Sequence, residues 1–137
     1  MELINKNILG EVTGTPVQEL VQNEFKGETW EVGIYLAMAR QAQREGYPEA
    51  AQVLSSIAMD EAGHAARFAE LLGKLSGTKE NIEKMLNGEI EANKGKKEAA
   101  EKAREAGLSE SAAVLDESSR DEARHAKALE GLLKRYF

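Results

Sequence analysis

Both histidines of the chain sit in short motifs of one kind, Glu61-Ala62-Gly63-His64 and Glu122-Ala123-Arg124-His125. A carboxylate three residues before an imidazole places both side chains over one turn of a helix. A further glutamate stands 33 residues ahead of each motif, Glu28 before Glu61 and Glu89 before Glu122. Apolar spacing turns all six residues inward. Leu54, Ile57, Phe68, Leu71 and Leu72 share a helical stripe with Glu61 and His64, and Leu115, Leu129, Leu132 and Leu133 share one with Glu122 and His125. Leu20, Tyr35 and Met38 accompany Glu28, while Ile82, Met85 and Ala100 accompany Glu89.

Four inward carboxylates are very unfavourable unless something compensates them. Two divalent cations do so, balancing the charge of Glu28, Glu61, Glu89 and Glu122 while the imidazoles stay neutral. Each Glu-x-x-His then gives one imidazole and one bridging carboxylate. Oxygen-rich ligands with one nitrogen per ion suit iron or manganese and argue against a thiolate metal. A single Glu-x-x-His is weak evidence, because glutamate is common on helices and an inward histidine often only makes a core hydrogen bond. Two such motifs in register, each with its upstream glutamate, are what single out metal binding. The remaining acidic residues, such as Glu49, Glu80 and Glu110, read as solvated faces or helix-start charges.

Helices must position these groups. Thr15-Pro16-Val17-Gln18 reads as a capped helix start, with Pro16 at the first helical position. The first helix then runs from Pro16 to Glu45, where Gly46-Tyr47-Pro48 breaks it. The second runs from Pro48 to about Leu75; the third starts at a Thr78 cap and reaches Ala106; the fourth starts at a Ser109 cap and runs almost to Phe137. No segment alternates as a strand does. Residues 1–14 are expected to form an N-terminal arm, and residues 15–137 a single domain in two halves, about 15–75 and 78–137.

Those halves are copies. Moving 61 residues along the chain from any position between Gly27 and Ser76 meets the same residue at sixteen of fifty positions, without a gap. The matches fall on Gly46 and Gly107, on Asp60-Glu61-Ala62 and Asp121-Glu122-Ala123, and on His64-Ala65 and His125-Ala126. Two hairpins are too few for a solenoid. Packed face to face about a pseudo-two-fold axis they make an all-α four-helix bundle.

Composition narrows the function. The chain has 137 residues, enough for one modest core, and a net charge of -6, which disfavours a nucleic-acid partner. It has no cysteine, which excludes disulfides, thiolate catalysis and iron–sulfur clusters. There is no long apolar run and no visible signal peptide, so a soluble cytoplasmic protein without membrane contact is expected.

At Glu28, Glu61, His64, Glu89, Glu122 and His125 the sequence resembles the rubrerythrin-like group of ferritin-like di-iron proteins. The likeness spans about Thr15 to Tyr136 and includes Gly-Glu on the first and third helices and the linker from Leu71 to Glu89. It implies a ferritin-like bundle holding two iron ions. Glu28 and Glu89 would be terminal ligands, Glu61 and Glu122 bridging ligands, and His64 and His125 the nitrogen donors. It also implies reduction of hydrogen peroxide to water in defence against oxidative stress. The alternatives are a ferroxidase or oxidase, a ferritin-like metal-binding protein without turnover, or a bundle whose site is vestigial.

Three departures from the pattern matter. The Cys-x-x-Cys motifs of a rubredoxin domain are absent, so electrons would come from an external donor such as a rubredoxin-like protein. The family's extra glutamate, three residues beyond the third-helix ligand, is here Ala92, while Glu31 stands three beyond Glu28. In the family the extra glutamate and a histidine exchange as ligands with oxidation state, so the resemblance and the pseudo-symmetry together imply that Glu31 is a conditional ligand exchanging with His125. Third, the third helix is poor in large apolar residues and carries Lys96 and Lys97. Lys96 is the repeat partner of Tyr35, and both are candidates to lie beside the metals; a packed aromatic and a lysine reaching solvent are the plain alternatives. The short breaker at Ser76-Gly77-Thr78 leaves little chain to cross a bundle, which points to a homodimer with exchanged hairpins.

Overall fold

A computed structural model describes residues 9–137, which form four helices and, within that range, no strand. The helices are α1 (Gln18–Arg44), α2 (Pro48–Leu71), α3 (Thr78–Glu105) and α4 (Ser109–Tyr136). The chain divides between Leu75 and Ser76 into two compact units, the first holding α1 and α2, the second α3 and α4. Each is an antiparallel helical hairpin, and the all-α architecture expected of the repeat is what is found.

The hairpin turns are the same device used twice. Gly46 and Gly107 take φ values of 84° and 76°, a left-handed conformation that glycine adopts without a Cβ penalty. In the first turn the Tyr47 N–H donates to the Ala42 carbonyl at 2.8 Å; in the second the Leu108 N–H donates to the Ala103 carbonyl, also at 2.8 Å. These bonds close the open carbonyls of α1 and α3 and send the chain back antiparallel.

Helix starts differ from expectation. Thr15 does not cap α1: its hydroxyl donates to the Val12 carbonyl, and Gln18 instead accepts the Gly14 N–H at 2.6 Å. The helix therefore opens at Gln18, with Val17 flanking it. Thr78 and Ser109 are each the first residue of their helix rather than its cap, the flanking residues being Gly77 and Leu108. Helix α2 ends at Leu71, short of Leu75, because Gly73 takes φ 65° and terminates it. Of the expected arm, residues 1–8 lie outside the described residues; Gly10 and Val12 donate backbone N–H groups to the Glu70 and Leu71 carbonyls, securing residues 9–14 to the end of α2.

Small residues hold each hairpin together. Ala39, Ala42, Ala51, Ala58 and Ala65 are buried in the first; Ala100, Ala103, Ala112 and Ser119 in the second. Eight of these nine form four pairs across the 61-residue repeat, Ala39 with Ala100, Ala42 with Ala103, Ala51 with Ala112 and Ala58 with Ser119. Seven-residue spacing keeps Ala51, Ala58 and Ala65 on one seam, where small side chains let the helices approach closely. Among the described residues no large side chain is fully buried, and Leu20, Met38, Met85 and Leu132, expected on inward stripes, remain 62%, 45%, 53% and 41% exposed. A two-helix layer has only one covered seam, so each hairpin by itself leaves a second apolar face open.

Candidate metal centre

In the first hairpin α1 supplies Glu28, and α2 supplies Glu61 and His64 one turn apart. One possible ligand atom from each lies within 4.8 Å of the others. The His64 Nδ1 lies 2.9 Å from the Glu61 Oε2 and 3.6 Å from the Glu28 Oε2. Both carboxylates are largely covered, at 15% and 18% exposure, whereas His64 is 56% exposed. The second hairpin reproduces this arrangement. Glu89 on α3 joins Glu122 and His125 on α4 within the same 4.8 Å limit. The His125 Nδ1 lies 3.0 Å from Glu122 and 3.4 Å from Glu89. All six expected ligands are thus brought together, three within each hairpin.

The electrostatics of the first group mark a place for a cation. Glu28 Oε2 is buried with no hydrogen-bond partner, a costly state for a carboxylate oxygen. Hydrogen bonding with Glu61, burial and the Glu61 charge together raise the Glu28 pKa above its usual range, and the nearby Glu31 carboxylate adds to the rise. Glu61 is held lower by hydrogen bonds from Glu28 and His64. His64 is raised, chiefly by its hydrogen bond to Glu61. The His64 Nδ1 faces both carboxylates. The orphaned Glu28 oxygen and this set of oxygen and nitrogen donors fit iron or manganese.

Comparison with known proteins agrees with this geometry. A family model described as Rubrerythrin matches residues 19–87. The uncharacterized protein MJ0746 of Methanocaldococcus jannaschii is 59% identical over all of this chain and 98% of its own length. The chain belongs to the rubrerythrin family. Reverse rubrerythrin-1 of Clostridium acetobutylicum is 48% identical, covering 88% of this chain and 68% of that protein. Membership implies a di-iron site, and the two Glu-Glu-His groups are the residues of this rubrerythrin relative that could bind metal. Among the described residues no helix is long and apolar enough to cross a membrane.

The other candidates lie as follows. Glu31 is half-buried on α1 and outside the three-residue group, close enough for its charge to act on Glu28. Tyr35 is half-buried on α1, one turn beyond Glu31. Lys96 turns onto the Glu122 carboxylate and forms an ion pair with its Oε1. The sequence reading had not found that partner, nor two further ties within the second hairpin. Asp116 accepts from Lys97 at 3.0 Å and from Arg104, and the Asn93 Nδ2 donates to the Ser119 carbonyl and hydroxyl at 2.7 and 3.0 Å. The signal lay in the repeat: Leu36, Ser55, Val32 and Ala58 are the first-half counterparts of Lys97, Asp116, Asn93 and Ser119. The Asn93–Ser119 pair thus has an apolar counterpart, whereas Lys97, Arg104 and Asp116 correspond to the uncharged Leu36, Gln43 and Ser55.

Proposed function

We propose that the chain is a di-iron protein that reduces hydrogen peroxide to two waters, consuming two electrons from an external donor and two protons. The observation that carries this reading is the pair of matched Glu-Glu-His groups, one per hairpin. A pair of ferrous ions, when bound, would supply the two electrons that the reduction of peroxide needs. Glu28 with His64 would hold one ion and Glu89 with His125 the other, while Glu61 and Glu122 offer carboxylates to both. Glu31, half-buried one turn from Glu28, would add negative charge when the ions are oxidised, and Tyr35, one turn further along α1, would tune the site by hydrogen bonding.

A complete centre requires both half-sites, and we propose that they meet in a homodimer with exchanged hairpins. The linker between α2 and α3 is six residues, 72–77, and its last part is fixed: the Asn81 side chain accepts the Ser76 N–H and donates to the Ser76 carbonyl, both at 2.8 Å. Six extended residues reach about 20 Å, whereas a helix of α2's length is about 36 Å long. A linker that short supports the exchanged form over a crossing from end to end of one bundle.

Mixing the anaerobic ferrous protein separately with peroxide and with O2 tests the chemistry. Peroxide should oxidise the metal much faster, with two ferrous ions consumed per peroxide. Faster oxidation by O2 would make the protein an oxidase, and slow oxidation by both would leave a metal-binding protein.

A further inference from the structure

The Glu122 carboxylate is occupied at both oxygens. His125 Nδ1 takes Oε2 at 3.0 Å, and the Lys96 ammonium takes Oε1. Its repeat counterpart Glu61 has His64 on Oε2, but among the described residues no lysine or arginine pairs with it. The difference lies in the sequence, because Tyr35 stands where the second half has Lys96. Lys96 is not a surface lysine that drifts to the nearest acid: Glu122 is only 13% exposed, and the lysine is itself 38% exposed, drawn back from solvent toward it. Other lysines on α3, Lys94 and Lys102, pair along their own helix with the well-exposed Glu91 and Glu98. Lys96 and its neighbour Lys97 instead reach across to α4, Lys97 onto Asp116 and Lys96 onto the candidate ligand Glu122. A carboxylate that bridges two ions needs both oxygens free, one for each ion, and here one is held by a tethered cation.

We infer that Lys96 is a resident counter-ion that occupies the second cation position of Glu122 and must leave it before a second metal ion binds there. This rests on the two-metal reading above. The first ion can enter while Lys96 stays on Oε1; the second must displace it, so the two ions bind unequally. Lys96 is a positioning residue, acting through Glu122, and its long flexible stem and partial exposure give it somewhere to go. The device also answers a folding problem: the second hairpin can form with Glu122 paired before any metal arrives.

Metal-free wild-type protein, K96M and K96R would be titrated with cobalt(II), following stoichiometry and stepwise affinity by calorimetry and the cobalt visible bands. Circular dichroism checks helix content. The wild type should take two ions in unequal steps. K96M should tighten the weaker step by about fivefold, the worth of one partly exposed ion pair, and K96R should not. If K96M unfolds, K96Q is held to the same outcome. Unchanged steps in the neutral variant, or a weaker second step, would overturn the inference while leaving two-metal binding in place. A wild type that binds no cobalt would instead defeat the metal reading itself.

Discussion

The two hairpins share turns, seams and ligands but are held by different bonds. In the first, α1 meets α2 through alanines with Leu54 packed against them. In the second, the equivalent seam carries Asn93 hydrogen-bonded to Ser119, and its flank carries Lys97 and Arg104 on Asp116. The half-sites differ in the same way. Near Glu61 the crowded negative charge raises the pKa of Glu28 and of His64; near Glu122 the Lys96 ammonium pairs with the carboxylate. Both hairpins therefore bury alanines, and the second adds hydrogen bonds and paired charge, while the candidate ligands are alike in both.

The largest expected effect comes from breaking the likeness. Glu28→Ala/Glu61→Ala chains and Glu89→Ala/Glu122→Ala chains should each lose metal binding. Refolded together, they should regain part of it, because an exchanged dimer contains one composite centre with every ligand intact. Mixtures that form heterodimers yet stay metal-free would mean that each centre is built within one chain.

A smaller effect should come from making the second seam resemble the first. Ser119→Ala should cost about 1–2 kcal/mol in chemical denaturation, since it removes a buried hydroxyl that donates to the Asn93 carbonyl at 2.9 Å and accepts from its side chain. Asn93→Val combined with Ser119→Ala recreates the Val32 and Ala58 pair and should recover most of that loss. A double variant as weak as the sum of its parts would show that the seams are not interchangeable.

The subtlest test is pH. The His64 pKa is raised above 6.5 by Glu61, so its proton stabilises the metal-free fold below that value and is lost as pH rises through the raised pKa. Metal must displace the same proton. Metal affinity should therefore rise with pH across that window, with proton release seen in calorimetry in different buffers. His64→Ala should flatten the added stability at low pH. An affinity independent of pH between 6 and 8 would place the proton elsewhere.

How much of this could be read from sequence follows from the range of each interaction. The hairpins, the turns at Gly46 and Gly107 and the register of Glu28 with Glu61 and His64 were legible because they depend on helical period and on a repeat that prints the same spacing twice. The early end of α2 at Gly73 was missed because apolar residues continue to Leu75 and mask the break. The Lys96, Asp116 and Ser119 partners were not legible, because which residue faces which across a seam depends on how the two helices are set against each other. Periodicity along one helix does not carry that information.

Glu28 gives the protein a biography as well as a site. Its orphaned oxygen makes the first half-site a burden on any metal-free folded chain, which metal binding would lift by mass action. Unloaded molecules would open more often and be cleared sooner by proteases than loaded ones. On the metal reading proposed above, the amount of this protein in a cell would then follow the supply of its metal through turnover alone, with no change in its synthesis.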